Sequence, residues 1–199
     1  MITRATLSTI EQGLPKYRSM LAGNTAYVPP GDFESIATTT VGAGGVSSVV
    51  FSSIPATYTH LQIRCIAQAQ TSENLFLRFN GDGNDDNYTF HNTRGDGASA
   101  SVLAFTPGVT NSFLIVNGGA SITANTFAGS VIDILDYRNT NKYTTVRSIG
   151  GYDANGTGII QLGSKLWLNT AAITSLELNS FANNLQQYTQ FALYGIRNT

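Results

Sequence analysis

Residues 127–152 read FAGSVIDILDYRNTNKYTTVRSIGGY, two runs of alternating character divided by an Asn-rich cluster. Successive side chains of an extended chain point to opposite faces, so period-two alternation between turn-forming residues reads as strand, turn, strand. The pattern continues downstream in IIQLGSKLWL (159–168), ITSLELNS (173–180) and YTQFALYGI (188–196). Upstream it appears in SIATTTV (35–41), VSSVVFS (46–52), HLQIRCIAQAQ (60–70), NLFLRFN (74–80) and, between the two groups, SFLIV (112–116). The spacing of runs and turn clusters predicts roughly nine to eleven strands.

No helical period interrupts these runs, which removes parallel βαβ crossovers and leaves mostly antiparallel sheets. The expected fold is all-β: an antiparallel two-sheet β-sandwich, jelly-roll-like, preceded by a short N-terminal helix and extended arm. GAGG at 42–45 is expected to close a hairpin between the first two runs, because its glycines supply positive φ values. Alternation puts Leu75, Leu77 and Phe79 on one face and Phe76 and Arg78 on the other. It groups Cys65 with Leu61, Ile63 and Ala67 as a buried small hydrophobe. Phe51, Phe79, Phe127, Trp167, Phe191 and Tyr194 are expected to fill the space between the sheets, since each ring buries a large apolar area.

Residues 1–34 differ from the sandwich at 35–199. TLSTIEQGL (6–14) places Leu7, Ile10 and Leu14 at helical spacing, with Gly13 and Pro15 as a stop signal. The stretch that follows carries Tyr17, Met20, Leu21 and Tyr27 among Gly, Asn and a Pro pair, without a sustained period. It reads as an arm whose apolar anchors need a surface to cover them.

Charged residues make up 12% of the chain against 42% hydrophobic, about half the charged share of an ordinary soluble domain. The surface is therefore built from Ser, Thr, Asn, Gln and Gly, a composition that packs against neighbours with few charges to desolvate. A net charge of −1 without a basic run excludes the electrostatic footprint of a nucleic-acid binder. No stretch reaches the roughly 18 apolar residues of a membrane span, and MITRATLSTIEQ lacks the apolar region of a secretory signal. The chain is expected to stay in the cytoplasm where it is made until it assembles. One cysteine excludes an internal disulfide framework.

The residues that could carry chemistry are few. FNGDGNDDNY (79–88) gathers Asp82, Asn84, Asp85 and Asp86, oxygen ligands of the kind a hard cation takes. It has Asn87 where a calcium loop needs Gly and Thr93 where it needs Glu, so it reads as a hairpin turn and no metal or cofactor is assigned. His60 and His91 have no second ligand at metal spacing. Asp133 and Asp136 lie three apart on a strand and point to opposite faces, unlike an acid/base pair; Asp133 is expected to be buried with Val131, Leu135 and Tyr137 and bonded to amides or an arginine. The RGD at 94–96 reads as a turn. No G-x-S-x-G elbow is followed by Asp and His, and no catalytic residue is assigned. Tyr88, Tyr143, Tyr152 and Asn155 are the candidates for stacking on and hydrogen-bonding a glycan.

Several phrases together carry a resemblance: RSMLAGNTAY (18–27), VSSVVFSSIPATYTHLQIR (46–64), LRFNGD (77–82), NTFAGSVIDILDY (125–137), KYTTVRSIGGYDANGTG (142–158), LWLNTAAITSLEL (166–178) and FALYGI (191–196). The chain resembles a family of small bacteriophage structural proteins of the tail-fibre and decoration type. The resemblance implies a repeated, non-enzymatic subunit of the virion, on tail, neck or capsid, with a homotrimer as the common assembly. It implies that the arm docks on other virion proteins through Leu14, Tyr17, Met20, Leu21 and Tyr27 while the sandwich projects outward. The second expectation is a carbohydrate-binding, receptor-binding module of the adsorption apparatus.

Overall fold

A computed structural model of the protein describes residues 32–70, 75–107, 125–180 and 183–197. The expected N-terminal helix, the anchors Leu14, Tyr17, Met20, Leu21 and Tyr27, and the run SFLIV at 112–116 lie outside the described residues.

Eleven strands appear among the described residues, and every pairing is antiparallel. They are β1 (Phe33–Thr40), β2 (Ser48–Phe51), β3 (His60–Ala67), β4 (Leu75–Phe79), β5 (Tyr88–Gly95), β6 (Ala100–Phe105), β7 (Ala128–Leu135), β8 (Thr144–Asp153), β9 (Gly158–Trp167), β10 (Leu176–Ser180) and β11 (Gln190–Ile196). Phe33 and Glu34, read from sequence with the arm, open β1. Eight strands form a large sheet in the order β1-β11-β3-β7-β8-β9-β5-β6, and three form a small sheet in the order β2-β10-β4.

The two sheets share one core. Leu61, Ile63, Ile132, Ile134, Val146, Phe90, Trp167, Phe191 and Leu193 of the large sheet belong to the same buried cluster as Val49, Phe51, Leu75, Leu77, Phe79, Leu176 and Leu178 of the small one. Each such side chain stabilises the fold by about 1.5–3 kcal/mol relative to exposure. Cys65 is buried in this cluster beside Leu61, Ile63 and Ala67, on the face alternation assigns to it.

Three expectations change. GAGG is not a hairpin: β1 pairs with β11 in the large sheet and β2 with β10 in the small one, so residues 42–45 carry the chain from one sheet to the other. Gly44 and Gly45 are still required, because their φ values are +90° and +74° and a Cβ added to Gly45 would lie 2.5 Å from the carbonyl oxygen of Leu185. Tyr194 is not between the sheets; Phe191 and Leu193 take the inward positions of β11, and the Tyr194 ring stacks on Phe33 at 4.8 Å. Phe127 precedes β7 and is only half-buried, whereas Phe51, Phe79, Trp167 and Phe191 are core as expected.

Candidate functional site

The outer face of the large sheet is the molecule's most distinctive surface. Strand register sets its rows. Ile66, Gly129, Gly151 and Ile160 stand side by side on β3, β7, β8 and β9. The next outward row is Arg64, Val131, Ile149 and Leu162, continuing to Thr93 on β5 and Val102 on β6. A third row holds Gln62, Asp133, Arg147 and Ser164, then His91. Ile66, Ile149, Ile160, Leu162 and Val102 are each more than half exposed, Val102 at 79%. Contiguous apolar surface of this kind on a low-charge protein marks an interaction surface.

The face has relief. The neighbouring glycines Gly129 and Gly151 leave a gap between the aliphatic ridges of β3 and β9, within an open groove of about 710 Å³ whose rim includes Arg64, Tyr152 and Tyr194. Gly151 is obligatory there, since an added Cβ would meet the Ile159 carbonyl oxygen at 2.3 Å. A second trough of about 270 Å³ lies on the far side of the Ile160 ridge, against Thr93, Ala100 and Leu162.

The polar row is tied together. Gln62 Nε2 donates to Asp133 Oδ1 at 2.8 Å, and Arg64 Nε donates to Gln62 Oε1 at 3.0 Å. The Arg64 guanidinium sits over the Phe33 and Tyr194 rings at 5.2 and 5.6 Å. Asp133 is thus half-buried on the outer face, not buried with amides or an arginine. The inward residues of β7 are Ala128, Ser130, Ile132 and Ile134, the opposite set, because they are the ones the small sheet and the core cover.

The other candidates are spread over the molecule. Tyr88 is buried in the core; its hydroxyl donates to the Asp82 carbonyl oxygen at 3.0 Å and accepts from the Phe79 N–H at 3.2 Å, which removes it as a glycan contact. Tyr143 and Tyr152 flank or end β8 at opposite ends, about 30 Å apart at the usual strand rise. Asn155 is exposed in the β8–β9 turn with φ +60° and donates its N–H to Asp153 Oδ1 at 2.8 Å. Only Tyr152 and Asn155 are neighbours, at the end of the sheet where the β5–β6 and β8–β9 turns meet.

The acidic loop is structural. Asp82 accepts from Trp167 Nε1 at 2.8 Å, Asn87 Nδ2 at 2.9 Å and the Asn84 N–H at 3.0 Å. Burial alone would raise its pKa, but these three bonds outweigh that and hold the carboxyl below the ordinary value. Among the described residues no group of three or more His, Cys, Asp or Glu is placed to hold a metal ion. His60 Nδ1 accepts from the Asp136 N–H at 2.9 Å, and Asp136 pairs with Lys142. In the RGD turn, Asp96 accepts from the Ala98 and Ser99 N–H groups at 2.9 and 2.7 Å. Burial pushes the Cys65 thiol up to about 12, so it stays protonated and unreactive.

Sequence reading missed Lys165. It is fully buried, donates Nζ to the Leu77 carbonyl oxygen of the small sheet at 2.8 Å and lies 4.2 Å from the Tyr88 ring centroid. Burial, then repulsion from Arg78, pulls its pKa down to about 7, with Asp85 opposing. Its place two residues before Trp167 in β9 puts it on the inward face, a signal that alternation carried. Compared with known proteins, the chain matches no family model, no curated protein and no solved structure.

Proposed function

We propose that this protein is a non-enzymatic structural subunit of a bacteriophage particle, a fibre or capsid-decoration component whose sandwich packs against neighbouring subunits. The observation that carries the reading is the outer face of the large sheet: aliphatic side chains more than half exposed, in register on β3, β8, β9 and β6, on a body with 12% charged residues. Such a face excludes water well and desolvates few charges when it is covered. The two carboxylates weighed for acid/base chemistry are engaged, Asp133 with Gln62 and Asp136 with Lys142, and Asp82 of the acidic loop is held by Trp167 and Asn87. The sandwich is read as jelly-roll-like, the homotrimer as the assembly the family resemblance implies, and the segment 1–34 as the element that docks on other virion proteins.

The test is mass spectrometry and antibody labelling of particles purified from a culture that encodes the chain. Recovery in several copies per particle supports the reading; purified particles free of it, from cells that contain it, overturn it. A second reading, glycan binding during adsorption, is favoured by one observation. Tyr152 lines both the apolar groove and a cleft of about 410 Å³ between the β5–β6 and β8–β9 turns, where Asp96 and Asp153 supply acceptors. Binding on a glycan array that is lost on Tyr152→Ala would favour that reading.

A further inference from the structure

Asn-Gly dipeptides occur in the chain at 80–81, 117–118 and 155–156, and the second lies outside the described residues. An asparagine amide is attacked most readily by the main-chain nitrogen that follows it when that nitrogen belongs to glycine, which has no side chain to hinder the approach. The geometry points to Asn155 as a site of spontaneous covalent modification of this kind, with Asn80 a protected copy of the same dipeptide. Nothing in this depends on which particle or partner the chain serves.

The two turns are alike in what the dipeptide itself supplies. Asn80 and Asn155 both have positive φ, +52° and +60°, as do Gly81 and Gly156, at +69° and +106°. Both asparagines are exposed. Neither glycine N–H engages an acceptor among the described residues, so the nucleophile is equally available in each. The side-chain amides differ. Asn80 Oδ1 accepts from the Thr174 N–H at 2.8 Å, the Ser175 N–H at 3.1 Å and the Thr174 hydroxyl at 3.2 Å, and its Nδ2 donates to the Ala172 carbonyl oxygen at 2.9 Å. These bonds hold the Asn80 amide on the segment that leads into β10. The Asn155 amide makes no such bond; its main-chain N–H alone is engaged, with Asp153 Oδ1 at 2.8 Å. Its side chain is therefore free to rotate onto the Gly156 nitrogen. Outside the adjoining residues, no heavy atom lies within 4 Å of where a Cβ on Gly156 would stand, so the approach is unobstructed.

The reaction needs only water. The Gly156 nitrogen gives its proton to hydroxide and bonds to Asn155 Cγ; the Cγ–Nδ2 bond breaks, and Nδ2 leaves as ammonia after taking a proton from water. The product is a five-membered succinimide. Water then opens the ring at either carbonyl carbon bonded to the ring nitrogen, returning a proton to that nitrogen. Breaking the bond to Cγ leaves aspartate. Breaking the bond to the Asn155 carbonyl carbon leaves isoaspartate, whose main chain runs through Cγ. Nothing is oxidised or reduced. Either product sets a carboxylate where the amide stood, beside the cleft that Gly156 lines together with Asp96 and Asp153. Isoaspartate also adds a methylene to the main chain of a tight turn that the Ala154 N–H closes onto the Thr157 carbonyl oxygen at 2.7 Å.

Asn80 must break its bonds before it can react. A hydrogen bond has a net worth of roughly two- to tenfold in an equilibrium, so several acting together slow Asn80 by about tenfold or more. The experiment incubates the full chain folded at mildly alkaline pH and, in parallel, unfolded in urea. Digestion at acid pH then halts ring closure, and peptide mass spectrometry follows aspartate and isoaspartate at both positions, with isoaspartyl methyltransferase labelling to separate the two products. In the folded chain Asn155 is expected to convert at least about tenfold faster than Asn80. In urea, where the Asn80 bonds are gone, the two rates are expected to converge. A folded chain in which Asn80 keeps pace with Asn155 overturns the inference. So does a folded chain whose Asn155 stays intact while the urea sample reacts. A rate ratio that urea leaves unchanged also overturns it, by tracing the preference to neighbours in sequence and not to the fold.

Discussion

β3 and β9 belong to the same sheet and alternate in opposite senses. β3 buries Leu61, Ile63, Cys65 and Ala67 and turns Gln62 and Arg64 outward. β9 buries Gln161, Gly163, Lys165 and Trp167 and turns Ile160 and Leu162 outward. A reading that sent Ile160 and Leu162 inward would place β9 one residue out of register and invert its faces. Trp167 decides otherwise. Its ring lies 5.3 Å from Phe79 of the small sheet, and its Nε1–H reaches Asp82, so the largest apolar group of the strand and its donor are both satisfied only in the observed register. Lys165 and Gln161 are carried inward with it, and the two aliphatic residues are carried out. The comparison teaches that the exposed apolar face is a consequence of how β9 is anchored, and that its exposure persists because undoing it would expel Trp167 from the core.

The sharpest way to break this comparison is at the anchor. Trp167→Ala is expected to destabilise the fold by about 3–5 kcal/mol, read from urea denaturation, because it leaves a cavity between the sheets and strips Asp82 of a donor. A loss below about 1 kcal/mol would show that Trp167 does not hold the register of β9.

Next in size is the pH dependence that Lys165 introduces. Its folded pKa, about 7, lies below its ordinary 10.5, so between these values the unfolded chain binds the extra proton. Stability therefore rises with pH through that window, by up to about 1.4 kcal/mol per pH unit. The wild-type stability minus that of Lys165→Met should climb between pH 7 and 9; a flat difference means the buried amine titrates normally.

A smaller effect is expected at Asp82→Ala, about 1–3 kcal/mol, for the buried Trp167 and loop donors left without an acceptor. The contribution of Asp82 has the opposite pH sense to that of Lys165. Its pKa is lowered from 3.8, so its stabilisation is present above that value and is lost as pH falls through the lowered one. Acid unfolding of wild type and Asp82→Ala should converge at low pH.

The smallest effect sharpens the comparison from the other side. Ile160→Ser on the outer face should change monomer stability by no more than about 0.5 kcal/mol, although Ile160 sits in the same strand as Trp167. An Ile160→Ser variant that unfolds like a core mutant would mean that the outer face is part of the monomer's own core.

Much of this was legible in sequence. Alternation sorted the residues of β3, β4 and β7 into their two sets, and it placed Cys65 with Leu61 and Ile63. What alternation could not supply was which set faces in, and so Asp133 was assigned to the wrong side of β7 and Tyr194 to the core. Neither was it possible to see that GAGG links two sheets, because local glycine geometry is the same in a hairpin and in a crossing between layers. The four aromatic and amide candidates for glycan contact could not be recognised as scattered, since strand length separates Tyr143 from Tyr152 and the core swallows Tyr88.

By itself, then, the sequence determined that the chain is built of short antiparallel strands with a surface poor in charge, since these depend on spacing and composition alone. Only the tertiary structure decided which face of each strand is covered. That choice is made where a three-stranded sheet lies across an eight-stranded one and Trp167 is captured between them, a contact between residues far apart in the chain that no local pattern encodes.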